Sequence, residues 1–264
     1  MKKSVFAAIA AVLCLSAPAF AGVLKVGATP TPHAEVLAQI VDDLKAKGVE
    51  LKIVEFTDYV TPNIALSDGE LDANYFQHLP YLHSFSADRG LKLHSEATIH
   101  VEPMGLFSKK IAKLDDLKDG SLISIPNDPT NSGRALLLLQ SAGLIKLAEG
   151  VGLTATELDI AENPHNFKFR SLEAAQLPRS LDDVDASVIN GNYALPAGFN
   201  PATDGLLVEG AESPYANVIA VRDGETNPDI AALIEALQSE KISKFILDTY
   251  KGGALPAFGG PEKK

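Results

Sequence analysis

Six histidines, 34 acidic side chains and one cysteine are the reactive material in this 264-residue sequence. His78 and His83 are five apart, and His94 and His100 six apart. Neither is the i, i+4 spacing that turns two imidazoles toward one zinc ion, and no His-Glu-x-x-His occurs, so no metal site is expected. Cys14 is the only cysteine, which removes disulfides, thiolate-metal sites and Cys nucleophiles from the chemistry available. Gly-x-Ser-x-Gly, the P-loop and Gly-x-Gly-x-x-Gly are missing as well. The pairs Asp115-Asp116 and Asp182-Asp183 stand in polar, surface-like contexts that solvation explains better than acid–base work. The reading is a protein without a cofactor that is not an enzyme; a secreted α/β hydrolase is the weaker alternative.

Three stretches are better suited to holding a ligand than to breaking one. Asp72 to Tyr81 puts three aromatics (Tyr75, Phe76, Tyr81), an imidazole (His78) and the amides of Asn74 and Gln77 into ten residues. That composition fits either an aromatic core patch with capping amides or the wall of a pocket. Pro126 to Arg134 is a strand-to-helix turn built of cap residues. Its helix N-terminus would present free N–H groups and partial positive charge, and Arg134 in the first turn would add a cation where an anion is to be held. The alternative is an Arg facing solvent. Asn190 and Asn217 each stand at the end of an apolar strand, where a cleft-facing amide or a turn residue could be placed.

Strand-like and helix-like segments alternate around these stretches. Leu24 to Ala28 reads as a strand, and Pro32 opens a helix with Thr31 as N-cap that continues to Gly48. Leu51 to Phe56 is a second strand, and the βαβ order implies parallel pairing with helices on the sheet faces. Leu122 to Ile125 is a strand and Arg134 to Ala142 a helix; its four leucines, Leu136 to Leu139, predict burial. Phe167 to Leu172 and Ala186 to Ile189 read as strands, and one long helix is expected from about Pro228 to Tyr250. The Gly- and Pro-rich tail from Gly252 reads as loose.

Lys2 and Lys3, the apolar run Val5 to Leu15 and the small-x-small Ala19-Phe20-Ala21 have the order of a secretory leader, cleaved before Gly22. Leu13 precedes Cys14 where a lipoprotein signal wants a small residue, so lipid anchoring is not expected, and the mature chain would diffuse freely in the periplasm. The net charge of −11, with 23 basic against 34 acidic residues, opposes nucleic-acid or anionic-membrane binding. No internal apolar run reaches the roughly 18 residues of a membrane helix. The two βα series predict two lobes that share a cleft: residues 22–104 with 206–264, and residues 105–205.

The same stretches carry a resemblance. Asp72-Ala73-Asn74-x-Phe76-Gln77-His78-x-Pro80-Tyr81, Pro126-Asn127-Asp128-Pro129-Thr130-Asn131-x-Gly133-Arg134 and Gln176-Leu177-Pro178-Arg179-Ser180-Leu181-Asp182-Asp183 resemble the NlpA-type methionine-binding proteins. Gly143 to Leu147, Glu162-Asn163-Pro164 and Glu212-Ser213-Pro214-Tyr215 also match, and the likeness spans about residues 22 to 255. It implies a two-lobed type II periplasmic binding protein: two parallel or mixed sheets flanked by helices, with the ligand cleft between lobes. It further implies a monomer that delivers methionine, the L-isomer first, to the transmembrane permease of an ABC importer. D-methionine, a short methionine-containing peptide or another apolar amino acid is the alternative ligand. By the same resemblance Arg134 would pair with the ligand carboxylate beside Asn131. Asn190 and Asn217 would orient the amino group, and Tyr59, Phe76, His78 and Tyr81 would enclose the thioether.

Overall fold

The computed structural model of the chain describes residues 22–210 and 214–262. The leader read at residues 1–21, with Leu13 and Cys14, lies outside the described residues. In chain order the first half runs β1 (Val23–Ala28), α1 (Glu35–Ala38), α2 (Val41–Ala46), β2 (Glu50–Glu55), α3 (Thr61–Ser67), β3 (Ala73–His78), α4 (Leu79–Arg89) and β4 (Leu93–Val101). After Glu102-Pro103-Met104 come β5 (Gly105–Phe107), β6 (Leu122–Pro126), α5 (Pro129–Ser141) and the short β7 (Lys146–Leu147) and β8 (Ile160–Glu162). Next are β9 (Lys168–Leu172), α6 (Leu177–Ser180), β10 (Ala186–Ile189), α7 (Gly191–Ala194), α8 (Pro201–Asp204) and β11 (Leu207–Val208). The chain ends with β12 (Ala216–Arg222), α9 (Asp229–Leu237), α10 (Glu240–Tyr250) and β13 (Leu255–Gly259).

Two mixed sheets carry the two lobes. The first has the order β13-β4-β12-β3-β1-β2, with β1 parallel to β2 and β3 and the later strands antiparallel. The second has the order β11-β5-β10-β6-β9, parallel for β6 with β9 and β10 and antiparallel at β5. Each buries its own core. Val26, Leu37, Ile40, Leu44, Ile99 and Leu233 pack on the first sheet; Ile123, Ile125, Leu136, Leu139 and Val188 pack on the second. Leu207 and Val208 pair with Leu106 and Gly105 in the second sheet, and the next strand, β12, lies in the first.

Four local expectations need correction. Thr31 does not cap a helix with its side chain: its hydroxyl donates to Glu35 Oε1 at 2.6 Å and accepts from no backbone N–H among the described residues. The helix expected up to Gly48 is two short ones, broken between Ala38 and Val41, although the apolar stripe keeps its phase across the break. The long C-terminal helix is likewise broken, at Gln238 and Ser239, where the Ser239 hydroxyl caps Ile242 N and starts α10. The tail is not loose. Leu255–Gly259 is an edge strand on β4, the kind of strand in which a proline such as Pro256 is tolerated.

A fifth correction bears on the site. Helix α5 begins at Pro129, five residues before Arg134, with Asp128 as its N-cap accepting from Asn131 N at 3.0 Å. Arg134 is therefore in the second turn, and the helix N-terminus is already satisfied by a carboxylate. Gly133 fits because the helix lies on the turn at Leu153: a Cβ there would stand 2.2 Å from the Leu153 carbonyl oxygen. Leu139, fully buried in the second core, gives the simplest check on this packing. Leu139→Ala is expected to cost about 2–5 kcal/mol. Thermal unfolding should show a midpoint lower by roughly 4–20 °C for a chain of this size. A loss under about 1 kcal/mol would mean that the leucine run is not packed as described.

Candidate functional site

All eight residues singled out from the sequence border one cavity: Tyr59, Phe76, His78, Tyr81, Asn131, Arg134, Asn190 and Asn217. Gln77, Glu102, Gly191 and Asn192 complete its wall, none of them among the eight. The first lobe supplies the aromatic side from three neighbouring elements. Phe76 and His78 leave the end of β3, Tyr81 is in the first turn of α4, and Tyr59 follows β2. Their rings meet edge to face or tilted, with centroids 5.7 Å apart for Tyr59 and Tyr81 and 6.2 Å for Phe76 and Tyr81. The second lobe supplies amides and a cation, from α5 (Asn131, Arg134) and from the β10–α7 turn (Asn190, Asn192).

Hydrogen bonds cross between the lobes at this cavity. His78 Nδ1 accepts from Tyr81 N at 3.1 Å, which leaves Nε2–H to donate to Asn131 Oδ1 at 3.0 Å. Asn131 Oδ1 also accepts from Asn190 Nδ2 at 2.7 Å, while Asn131 Nδ2 donates to both carboxylate oxygens of Asp128. Tyr59 OH donates to Asn192 Oδ1 at 2.5 Å, and Tyr193 OH to Thr57 O at 3.0 Å. Two buried polar atoms on the cavity residues, Asn190 Oδ1 and Asn192 Nδ2, make no hydrogen bond. An unpaired buried acceptor and donor cost about 1–3 kcal/mol each. They are the kind of group that a polar ligand would satisfy.

Burial sets the charges. His78 is fully enclosed, and that burial, reinforced by the nearby Arg134 cation, pushes it down to about 3, so it is a neutral wall. His33 is pushed down to about 4 by burial. Burial alone would raise the Glu102 carboxyl, but His33, His100 and Arg134 outweigh it and hold Glu102 below its ordinary value, hence ionised. The donors are laid out in series. Thr29 Oγ1 and Tyr75 OH lie 2.7 and 2.5 Å from the Nδ1 atoms of His33 and His100, and both Nε2 atoms point at Glu102 Oε1, at 3.2 and 2.8 Å. With hydroxyls donating to Nδ1, each Nε2–H donates to the carboxylate. His33, His100 and Glu102 also stand within 4.8 Å of one another, as metal ligands could. The tautomers that the hydroxyls impose make this trio a hydrogen-bond relay that fixes an anion. Gly191 lets that anion approach: a Cβ there would stand 2.9 Å from Glu102 Cβ.

Arg134 differs from expectation. Its guanidinium is buried (4% exposed) but is not waiting for a first anion. Nε donates to Glu209 Oε1 at 3.0 Å, Nη2 donates to Glu209 Oε2 and, at 2.8 Å, to Glu102 O, and the Tyr215 ring lies 4.1 Å from its carbon. Glu209 had no signal in the sequence beyond being acidic.

The low position of His33 has a measurable consequence. Between about 6.5 and about 4 the unfolded chain takes up a proton at this residue that the folded chain refuses. Stability is therefore full above that window and is lost as pH falls through it, with His78 adding the same sign. Thermal midpoints should fall steadily across the window, and less steeply in His33→Gln. An unchanged slope in that variant would contradict a buried neutral His33.

Comparison with known proteins follows the same outline. Residues 24–258 match the family described as NlpA lipoprotein. The D-methionine-binding lipoprotein MetQ of Salmonella typhimurium is 51% identical over 211 residues, 79% of this chain and 78% of that one. The Escherichia coli K12 protein of the same name is 48% identical over 225 residues, 84% of this chain and 82% of that one. Among solved structures, a nutrient-binding protein from Burkholderia cenocepacia bound to methionine superposes with TM-score 0.85 at 48% identity, over 89% of this chain and all of that one. The methionine-binding protein MetQ superposes with TM-score 0.87 at 46% identity, over 89% and 98%. These relatives are binding proteins. Those from Salmonella and Escherichia coli are named lipoproteins, so the expectation of an unanchored chain finds no support in them; among the described residues, no helix is long and apolar enough to cross a membrane. With the family match spanning nearly every described residue, the chain belongs to the NlpA lipoprotein family.

Proposed function

We propose that the protein captures methionine in the cavity between its lobes and hands it to the permease of an ABC importer, with no bond made or broken. One observation carries this reading: a single enclosed cavity is bordered by a buried carboxylate, a buried guanidinium and a wall of aromatic rings. An amino-acid zwitterion needs the first two, and a thioether side chain suits the third, since sulfur against aromatic rings contributes about 0.3–1.5 kcal/mol per contact. The α-ammonium would lie against Glu102, Asn190 and Asn217, with Asn190 Oδ1 as its free acceptor. The α-carboxylate would lie at Arg134. Tyr59, Phe76, His78 and Tyr81 would enclose the side chain, and Asn131 would tie His78 to Asn190 behind it.

The residues come from both lobes, so a ligand that touches both favours the closed arrangement. The lobes would divide close to 22–104 with the C-terminal segment, and 105–208, with Glu102-Pro103-Met104 and the segment after Val208 as the crossings. The receptor would act as a monomer in the periplasm, reached through the leader read at residues 1–21. L-methionine is the first expectation. The names of the curated relatives support D-methionine as the second reading.

Protein that has been unfolded and refolded to remove carried ligand tests this directly. With L-methionine about 1,000-fold above Kd, linkage gives about 4 kcal/mol of added stability. That is a rise of roughly 8–16 °C in the thermal midpoint, expected with methionine and not with leucine or serine. No rise with either stereoisomer would overturn the ligand assignment. In titration calorimetry, Arg134→Ala and Glu102→Gln should each weaken binding, Arg134→Ala by about 2–5 kcal/mol, as expected when one partner of a buried charge pair is truncated. Near-unchanged affinity in Arg134→Ala would remove Arg134 from the site.

A further inference from the structure

We infer that Glu209 is a positioning residue for the ligand carboxylate: it holds one edge of the Arg134 guanidinium so that the other end, Nη1, is the part offered to the cavity. The inference rests on the function proposed above and extends it to a residue outside the cavity lining.

The geometry is specific. Glu209 grips the Nε–Nη2 edge of Arg134 in the two-pronged manner that gives guanidinium–carboxylate pairs their directionality. Nη2 also donates to Glu102 O at 2.8 Å, and the Tyr215 ring covers one face at 4.1 Å. That leaves Nη1 as the terminal nitrogen with no hydrogen bond among the described residues, on a side chain that borders the cavity. Glu209 is itself pinned. Its N–H donates to Met104 O at 2.9 Å, and its Oε2 accepts from Met104 N at 3.4 Å. Met104 and Glu209 belong to the two crossings between the sheets, so both crossings and helix α5 meet at one guanidinium. A carboxylate that arrives from the cavity therefore meets a cation whose orientation is already set. A free Arg side chain would have to give up rotamer freedom on binding.

Such a residue acts on one end of the ligand only, and this separates it from a residue that merely supports the fold. The test compares two probes, L-methionine and L-methioninol, in which a neutral –CH2OH replaces the carboxylate. Each is titrated into refolded wild-type and Glu209→Ala protein. Wild type should prefer methionine by at least about tenfold, the scale of a lost charge-assisted contact. Glu209→Ala should lose most of that preference through weaker methionine binding, with methioninol affinity within about threefold of wild type. Should the alanine variant not refold, Glu209→Gln keeps the volume but removes the charge and can accept from only one of the two Arg134 donors, and the same loss of preference is expected. Equal weakening of both probes would make Glu209 a structural residue and overturn the inference. Tighter methionine binding would do so too, by showing that Glu209 competes for Arg134. A wild type without preference between the probes would instead overturn the placement of the carboxylate at Arg134, and this inference with it.

Discussion

The hydrogen bond from Arg134 Nη2 to the carbonyl oxygen of Glu102 fixes how far apart the two charges of the site can stand. Glu102 carries the negative charge and the carbonyl that holds the positive one. A free amino acid carries its own two charges on groups bonded to one carbon, so the site must present the complementary pair at short range without letting the pair collapse onto itself. The structure prevents collapse by giving each charge a partner of its own. His33 and His100 hold Glu102, and Glu209 holds Arg134. Buried ions left without such partners would cost several kcal/mol each.

That arrangement explains why the hydrogen-bond relay behind Glu102 runs so deep. Thr29 comes from the end of β1, Tyr75 from β3 and His100 from β4, so the ionised carboxylate is anchored to the centre of the first sheet. Arg134 and Asn131 are anchored in the same way to α5, whose leucines fill the core of the second lobe. These two rigid supports face each other across the cavity, and the hydrogen bonds of His78, Tyr59 and Tyr193 join the lobes at its border.

Much of this was legible in the sequence, for physical reasons that differ by residue. Phe76, His78 and Tyr81 are clustered locally, at a strand end followed by Pro80, which singles the stretch out; composition fits a core patch as well as a pocket wall, and the family resemblance decides between them. Asn190 and Asn217 were visible because amides at the ends of apolar strands are unusual. Glu102 and Glu209 were not visible. Each is one carboxylate among many, and its meaning comes from partners distant in sequence, His33 and His100 for one and Arg134 for the other. The start of α5 was placed late because Pro129 and Asp128 were read as turn residues, and this put Arg134 a turn too near the helix end. The broken helices were read as continuous because the apolar phase survives each break; only the caps, such as Ser239, mark the interruption. Periodicity reports which face is buried and is nearly blind to a one- or two-residue gap.

The most direct measurement of the central claim is a crystal structure of the refolded protein grown with L-methionine. The expected density places the ammonium nitrogen within hydrogen-bond distance of Glu102 and Asn190, the carboxylate on the Nη1 end of Arg134, and the sulfur among Tyr59, Phe76 and Tyr81. Methionine bound outside this cavity, or turned so that its carboxylate faces Glu102, would contradict the paired-charge site on which the fold converges.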